Sequence, residues 1–294
     1  MESNTSQVAD IIAAELKEVG YVARRPDTLS VASALDMDVE TAGGSRTILL
    51  MGPPGTGKSA FADAVAKVLK AEFMVYQFHS WTDDSELFTG VDVCAAVAGD
   101  AESVRQDGIL ARVARASQSH TVVLLLDEID KTQERTEALL LDWLQTGRVP
   151  IKPGVHLQTN LNNVITFITS NDQRELGDAT TRRAARVVMN PLPVGQQEIL
   201  IMAKTGMSSG YIRTLWKAAR AIAESENNPA LSIQEGIRLA FAAWQHAETI
   251  HDLKIFMSQW AARTSKGRNA IAEDTFSRLI SSAWSELCRA RGDK

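Results

Sequence analysis

The stretch Gly52-Pro53-Pro54-Gly55-Thr56-Gly57-Lys58-Ser59 decides the fold that we predict for this chain. It follows the apolar run 47–51 and precedes an alanine-rich helical stretch, 60–69. A strand, a glycine loop and a helix in this order form the context that a G-x-x-x-x-G-K-[ST] phosphate-binding loop requires. The glycines let successive backbone N–H groups point inward, and the positive end of the helix faces the same anion. The sequence therefore predicts a phosphate site at this loop.

The residues that end the loop have specific predicted roles. Lys58 should reach the β- and γ-phosphates of a nucleotide, and the Ser59 hydroxyl should bind Mg²⁺. The nucleotide contacts are predicted to run from the first glycine to the first alanine of the helix, namely Gly52, Pro53, Pro54, Gly55, Thr56, Gly57, Lys58, Ser59 and Ala60.

Two adjacent carboxylates, Asp127 and Glu128, follow the uninterrupted apolar run 121–126. Such a run is typical of a parallel strand buried on both faces. The carboxyl edge of a doubly wound sheet is also where a phosphate loop lies. Asp127 should then hold Mg²⁺, directly or through water, and Glu128 should orient and deprotonate an attacking water.

Three further side chains gain meaning from these two motifs. Asn171 follows the strand predicted at 163–169, and its amide can donate to the γ-phosphate or to the attacking water. Arg182 and Arg183 stand near a predicted helix end and are candidates for an arginine finger, which stabilises charge on the transferred phosphoryl group. Such a finger acts on the nucleotide of a neighbouring subunit, so it predicts a ring or at least a dimer.

A polar pair, Gln77 and His79, lies at the end of the strand predicted at 72–78. This position is close to the expected γ-phosphate. One of the two side chains is therefore a candidate for a polar switch that touches Glu128.

The pattern of elements changes at residue 193. Before it, strands alternate with helices, which implies a parallel sheet with right-handed crossovers. The two prolines of the stretch 190–193 indicate a domain boundary. Beyond it the spacing predicts only helices, four or five of them. We therefore predict an α/β domain over 1–193, which includes an exposed hairpin at about 148–158, and a helical domain over 194–294.

These motifs together resemble the Walker A, Walker B, sensor 1 and arginine-finger motifs of AAA+ ATPases, and the resemblance covers about residues 20–260. Three stretches are similar to the MoxR branch of that superfamily. Residues 77–87 resemble its segment after the second strand. Residues 90–108 stand where it carries a helix-2 insert, and the predicted hairpin stands where its pre-sensor-1 hairpin lies. One departure is the position of the sensor 2 arginine, where Gln234 stands, with Arg238 one turn later.

The resemblance implies a fold and a function. The fold is a P-loop three-layer α/β/α parallel sheet followed by an all-helical lid domain. The function is ATP hydrolysis with Mg²⁺ at the subunit interfaces of a homo-oligomeric ring, expected to be a hexamer, which remodels or assembles a protein client as a chaperone does. Members of the branch often work beside a protein with a von Willebrand factor A domain.

Composition and charge limit the alternatives. Acidic residues exceed basic ones by 36 to 31, and the formal net charge is −5, which does not suggest a strongly basic nucleic-acid surface. Two distant cysteines, a polar N-terminus and the lack of a long apolar run favour a cytoplasmic protein without a membrane segment.

Two other functions stay open. The first is a DNA-associated motor or loader whose hairpin, with Arg148 and Lys152, tracks a phosphate backbone. The second is a nucleotide-gated assembly factor that hydrolyses slowly.

Overall fold

The structure is a computed structural model that describes residues 4–91, 97, 105–152, 154–226, 231–273 and 275–292. The chain forms two compact units. The first comprises Met1–Gly52 and Gly57–Met189, and the second comprises Pro53–Thr56 and Asn190–Lys294. Most of the predicted insert at 90–108 lies outside the described residues.

The strands of the first unit form one parallel sheet and two short antiparallel pairs. Their bounds are β1 (Arg46–Met51), β2 (Glu72–Gln77), β3 (Thr89–Val91), β4 (Arg105–Asp107), β5 (Val122–Asp127), β6 (Arg148–Lys152), β7 (Val155–Gln158), β8 (Val164–Ser170) and β9 (Ala185–Val188).

The parallel sheet has the strand order β2-β5-β8-β1-β9. Its register aligns the carboxyl ends of neighbouring strands, with Met51 beside Ser170 and Gln77 beside Asp127. Side chains that end these strands therefore meet at one edge, close to the loop that follows β1. The predicted parallel sheet is confirmed.

Helices cover both faces of this sheet. Alternate residues of β1 pack to opposite sides, since Ile48 and Leu50 belong to one apolar cluster and Leu49 to the other. β5 does the same and is buried along its whole apolar run, which explains why that run has no polar break. The helices of this unit are α1 (Asn4–Glu18), α2 (Arg25–Asp36), α3 (Val39–Ala42), α4 (Lys58–Val68), α5 (Asp84–Leu87), α6 (Ile109–Ala116), α7 (Glu134–Thr146) and α8 (Asp178–Arg183).

Strands β6 and β7 form the predicted hairpin. Its base is buried rather than exposed, because Val149 has no solvent exposure and packs in the same apolar cluster as Trp143. The indole N–H of Trp143 donates to the Thr159 hydroxyl at 3.0 Å, which fixes the chain that leaves the hairpin.

The described part of the second unit consists of helices around a separate apolar cluster that contains Tyr211 and Trp216. The described residues of this unit form six helices, whereas we predicted four or five. One boundary that we did not predict lies between His246 and Ile250, where Thr249 caps a new helix by accepting from the N–H of Asp252. The helices are α9 (Val194–Thr205), α10 (Ser209–Ser225), α11 (Ile233–His246), α12 (Ile250–Trp260), α13 (Ser265–Ala272) and α14 (Ser277–Gly292).

Among the described residues, every helix is too short or too polar to cross a membrane.

Candidate active site

The first residue of the glycine loop can only be glycine. Gly52 has φ +140°, and a Cβ at this position would lie 2.3 Å from the carbonyl oxygen of Met189. At the end of the loop, Gly57 has φ +93° and forms the N-cap of α4. Lys58 and Ser59 are thereby placed in the first turn of that helix, whose free N–H groups and dipole favour an anion.

The central part of the loop, Pro53–Thr56, belongs to the second unit. Gly55 has φ +82°, and a Cβ there would lie 2.6 Å from the Cβ of Ser232. Ser232 is the N-cap of α11, and it forms a capping box with Glu235. The start of α11 therefore packs directly against this central part of the loop.

The sequence offered Gln234 and Arg238 for the sensor 2 position, and no arginine stands in the first turn of α11. Gln234 lies in the first turn of the helix, two residues after the Ser232 N-cap. The guanidinium of Arg238 lies 5.6 Å from the centre of the Trp260 ring, a cation–π contact inside the second unit.

Lys58 is buried, with 7% of its surface exposed. Its Nζ donates to the carbonyl oxygen of Gly52 at 2.6 Å and to Oδ1 of Asn171 at 2.8 Å. Burial lowers the pKa of Lys58, while the nearby carboxylates of Asp127 and Asp130 act in the opposite direction. The ammonium group of Lys58 thus joins the glycine loop to Asn171, although the two were predicted from distant stretches of sequence.

Asp127 is surrounded by hydroxyl groups. The Ser59 hydroxyl lies 3.1 and 3.0 Å from its two carboxylate oxygens. The Thr169 hydroxyl donates to Oδ1 of Asp127 and accepts from the backbone N–H of Glu128 at 2.8 Å. Carboxylate and hydroxyl oxygens are ligands that suit Mg²⁺, which is usually held by one or two carboxylates together with substrate phosphates. The described residues contain no cluster of three His, Cys, Asp or Glu side chains that could hold a metal alone.

The carboxylate of Glu128 accepts hydrogen bonds from three side chains. Asn171 Nδ2 donates to Oε1 at 3.0 Å, whereas Gln77 Nε2 and Lys131 Nζ donate to Oε2 at 2.8 and 2.6 Å. Partial burial raises the pKa of Glu128, but the hydrogen bonds from Lys131 and Gln77 outweigh it, so the net pKa is lowered. Glu128 is therefore a carboxylate at neutral pH.

Gln77 is the member of the polar pair that contacts Glu128. The His79 ring instead lies 3.4 Å from Glu86 and stacks near Trp81. The prediction that one of the two side chains contacts Glu128 is confirmed, and that side chain is Gln77.

Three residues of this cluster were not predicted as part of the site. Thr169 bridges the two acids, as described above, and Lys131 pairs with Glu128. Asp130 is buried, and its Oδ2 accepts from the backbone N–H groups of Asn171 and Gln173 at 3.2 and 3.1 Å. Two features of the sequence could have indicated them: Thr169 is a polar residue in an apolar strand, and Asp130 is a third acid after Asp127 and Glu128.

The two arginines lie on α8, away from this cluster. The Arg182 side chain is 80% exposed, and its ion pair with Asp178 is long, at 3.6 Å. Arg183 donates to Gln145 Oε1 at 2.9 Å and to the carbonyl oxygen of Ala179 at 3.2 Å. The structure therefore groups Lys58, Ser59, Asp127, Glu128 and Asn171, while Arg182 and Arg183 contact neither the loop nor the acids.

Comparison with known protein families agrees with this geometry. Residues 47–184 match the AAA domain of the dynein-related subfamily. The match spans slightly less than half of the chain. The matched segment contains the loop, the acids, Asn171 and both arginines.

The chain is similar to two curated relatives over about half of its length. It is 26% identical over 165 residues to a mitochondrial Lon protease homolog of Dictyostelium discoideum, and 29% identical over 163 residues to fidgetin-like protein 1 of Drosophila melanogaster. These alignments cover 53% and 54% of the chain but only 16% and 28% of the two relatives.

Solved structures show the same fold at low sequence identity. A mutant of Thermotoga maritima RuvB is 15% identical, with a TM-score of 0.51, and the match covers 88% of this chain and 72% of that one. A presumed ATPase from Cytophaga hutchinsonii is 14% identical, with a TM-score of 0.50, and the match covers 96% and 94% of the two chains.

Proposed function

We propose that this chain hydrolyses ATP, with Mg²⁺, at the interfaces between neighbouring copies in a ring and uses the reaction to remodel or assemble a protein client, as in the MoxR branch. The proposal rests on a chain of direct hydrogen bonds that runs from Gly52 through Lys58 and Asn171 to Glu128. It links the phosphate loop to the carboxylate that acts as the base.

The reaction divides among these side chains. Lys58 and the N–H groups that open α4 hold the β- and γ-phosphates. Glu128 accepts a proton from water as the water attacks the γ-phosphorus, and the β–γ anhydride bond breaks to give ADP and inorganic phosphate. The carboxylate of Glu128 accepts from two donors on Oε2 and from one on Oε1, so Oε1 keeps an acceptor position for the attacking water.

Ser59 and Asp127 are the residues that fit Mg²⁺, because their oxygens lie 3.0–3.1 Å apart at the sheet edge. A bound Mg²⁺ held by these two residues would neutralise negative charge on the phosphates. Thr169 fixes the rotamer of Asp127, and Asn171 is positioned to orient the water or the γ-phosphate.

The ring and the client are proposed from the match to the AAA domain and from the MoxR-like stretches. Rings are typical of AAA+ proteins, and exposed Arg182 requires a neighbouring copy to reach a nucleotide. We also propose that the ring is a hexamer in the cytoplasm. Its client is a protein, and a protein with a von Willebrand factor A domain is its partner. The proposed domains are the nucleotide domain, 1–193, and the helical lid, 194–294.

Steady-state phosphate release at increasing protein concentration tests the proposal. Turnover per chain should depend on Mg²⁺ and should rise as the oligomer assembles, since an isolated copy lacks the second half of its site. Constant turnover per chain across the assembly range would contradict the shared site. Stimulation by DNA that declines steeply with salt would instead support the DNA motor.

Replacement of Arg182 should reduce turnover more than replacement of Arg183. The Arg182 side chain is 80% exposed, and its ion pair with Asp178 is a long surface pair, which contributes little to stability. Arg182→Ala should lower kcat by about 10³-fold, the usual lower value for an arginine finger, and leave ATP affinity unchanged. Arg183→Ala removes the contacts to Gln145 and Ala179 and should lower kcat less. A larger loss in Arg183→Ala, measured by phosphate release, would reverse the assignment.

A further inference from the structure

Glu137 is a buried acid outside the reaction described above. It lies on the first turn of α7, and 4% of its surface is exposed. A carboxylate this deeply buried needs several donors to replace its lost hydration. In the described part of the chain, every donor to the Glu137 carboxylate comes from one segment, residues 174–180. This segment follows Asn171 and leads into the helix of the two arginines.

The contacts to that segment are specific. Oε1 of Glu137 accepts from the backbone N–H of Gly177 at 2.8 Å and from the buried hydroxyl of Thr180 at 2.5 Å. Oε2 accepts from Nη2 of Arg174 at 2.9 Å. A Cβ at Gly177 would lie 3.1 Å from Oε1, a tight contact that would move the carboxylate by a few tenths of an ångström.

Glu137 therefore acts at the N-terminus of α8. Gly177 is the N-cap residue of that helix, and Thr180 lies in its first turn. α8 has only six residues, so it cannot hold its own direction through length or propensity. At the other end of α7, Gln145 accepts from Arg183. Both ends of α7 thus contact the short helix that carries Arg182.

We propose that Glu137 is a positioning residue that orients α8, so that Arg182 completes the nucleotide site of the neighbouring copy. The inference rests on the proposed function, because it requires a finger that acts between copies. α7 follows the acids Asp127 and Glu128 after a short turn, so Glu137 also ties the finger of one copy to the base of the same copy.

The test compares Glu137→Gln with Glu134→Gln. Glutamine has the size of glutamate but presents an amide N–H₂ where Arg174 or Gly177 needs an acceptor. Glu134→Gln removes the same charge from the same turn of α7, at a residue that is exposed. Glu137→Gln should lower kcat by about 10–100-fold, the effect of a misplaced catalytic group, with ATP affinity within about twofold. Glu134→Gln should keep normal turnover. Normal turnover in Glu137→Gln would overturn the inference.

Mixed oligomers separate positioning from general damage. Equal amounts of Glu137→Gln and Glu128→Gln chains, each nearly inactive alone, are mixed before assembly. In about one interface in four, an intact base meets an intact finger, so turnover should recover to about a quarter of the normal value. Arg182→Ala mixed with Glu128→Gln is the reference pair. Recovery in the reference pair alone would overturn the role of Glu137. If the reference pair also fails to recover, the shared site of the proposed function is wrong, and this inference fails with it.

Discussion

Glu128→Gln is expected to bind ATP normally and to lose nearly all turnover. The substitution keeps the size of the side chain and can keep the hydrogen bond from Asn171, but it removes the group that accepts a proton from water. General-base catalysis contributes about 10²–10⁴-fold, so phosphate release should decrease by at least this factor. Lys58 and the loop are unchanged, so the Kd for ATP, measured with a fluorescent analogue, should stay within about threefold of normal because no phosphate contact is removed.

The matched control for this prediction is Glu175→Gln. Glu175 is an exposed glutamate in the loop after Asn171, so the net charge changes equally while the base stays intact. It should hydrolyse ATP at the normal rate. If Glu128→Gln retained its turnover, another group would be the base, and the roles of Gln77 and Lys131 as its partners would have to be abandoned with it.

The sequence predicted the centre of this site because its motifs carry local geometry. The apolar run before Asp127 has no polar residue, and such a run becomes a central parallel strand whose end must reach the sheet edge. The same reasoning placed Asn171 after β8. Register then brought Lys58, Glu128 and Asn171 within hydrogen-bond distance, although up to 113 positions separate them in the chain.

The parts that the sequence did not predict depend on packing between distant elements. Nothing in the spacing around Glu137 distinguishes it from Glu134, three residues before it, since both lie on one turn of a helix with acids on its surface. Only the position of residues 174–180 makes one of them buried and the other exposed. Likewise, the difference between Arg182 and Arg183 appears only when Gln145 is seen to contact one of them.

The helix boundary before Ile250 was missed for a different reason. Residues 233–260 keep a helical apolar spacing throughout, and the short break carries neither glycine nor proline. The signal is a capping box, Thr249 with Asp252, which a reading based on apolar periodicity does not detect.

Lys58→Ala is expected to weaken ATP binding and, as a consequence, to abolish hydrolysis at ordinary ATP concentrations. A hydrogen bond to a charged group contributes about 1.5–3 kcal/mol, and 1.4 kcal/mol is tenfold in affinity, so the Kd should rise by roughly 10–100-fold. The loss should reach the upper part of this range, because Lys58 is buried and meets the phosphates in a site with little water.

The free protein distinguishes this loss from misfolding. Lys58→Ala also removes the hydrogen bonds to Gly52 and Asn171, so the thermal midpoint without nucleotide should decrease somewhat. The increase in midpoint caused by ATP, measured from each protein's own nucleotide-free value, therefore reports the loss of binding. Saturating ATP, at about 100 times the normal Kd, should stabilise the unchanged protein by about 2.7 kcal/mol and the variant far less. Lys67→Ala, on the exposed side of the same helix α4, should keep the full ATP-dependent shift. A full shift in Lys58→Ala would show that the ammonium does not contact the phosphates, and the loop would then have to bind them through its backbone N–H groups alone.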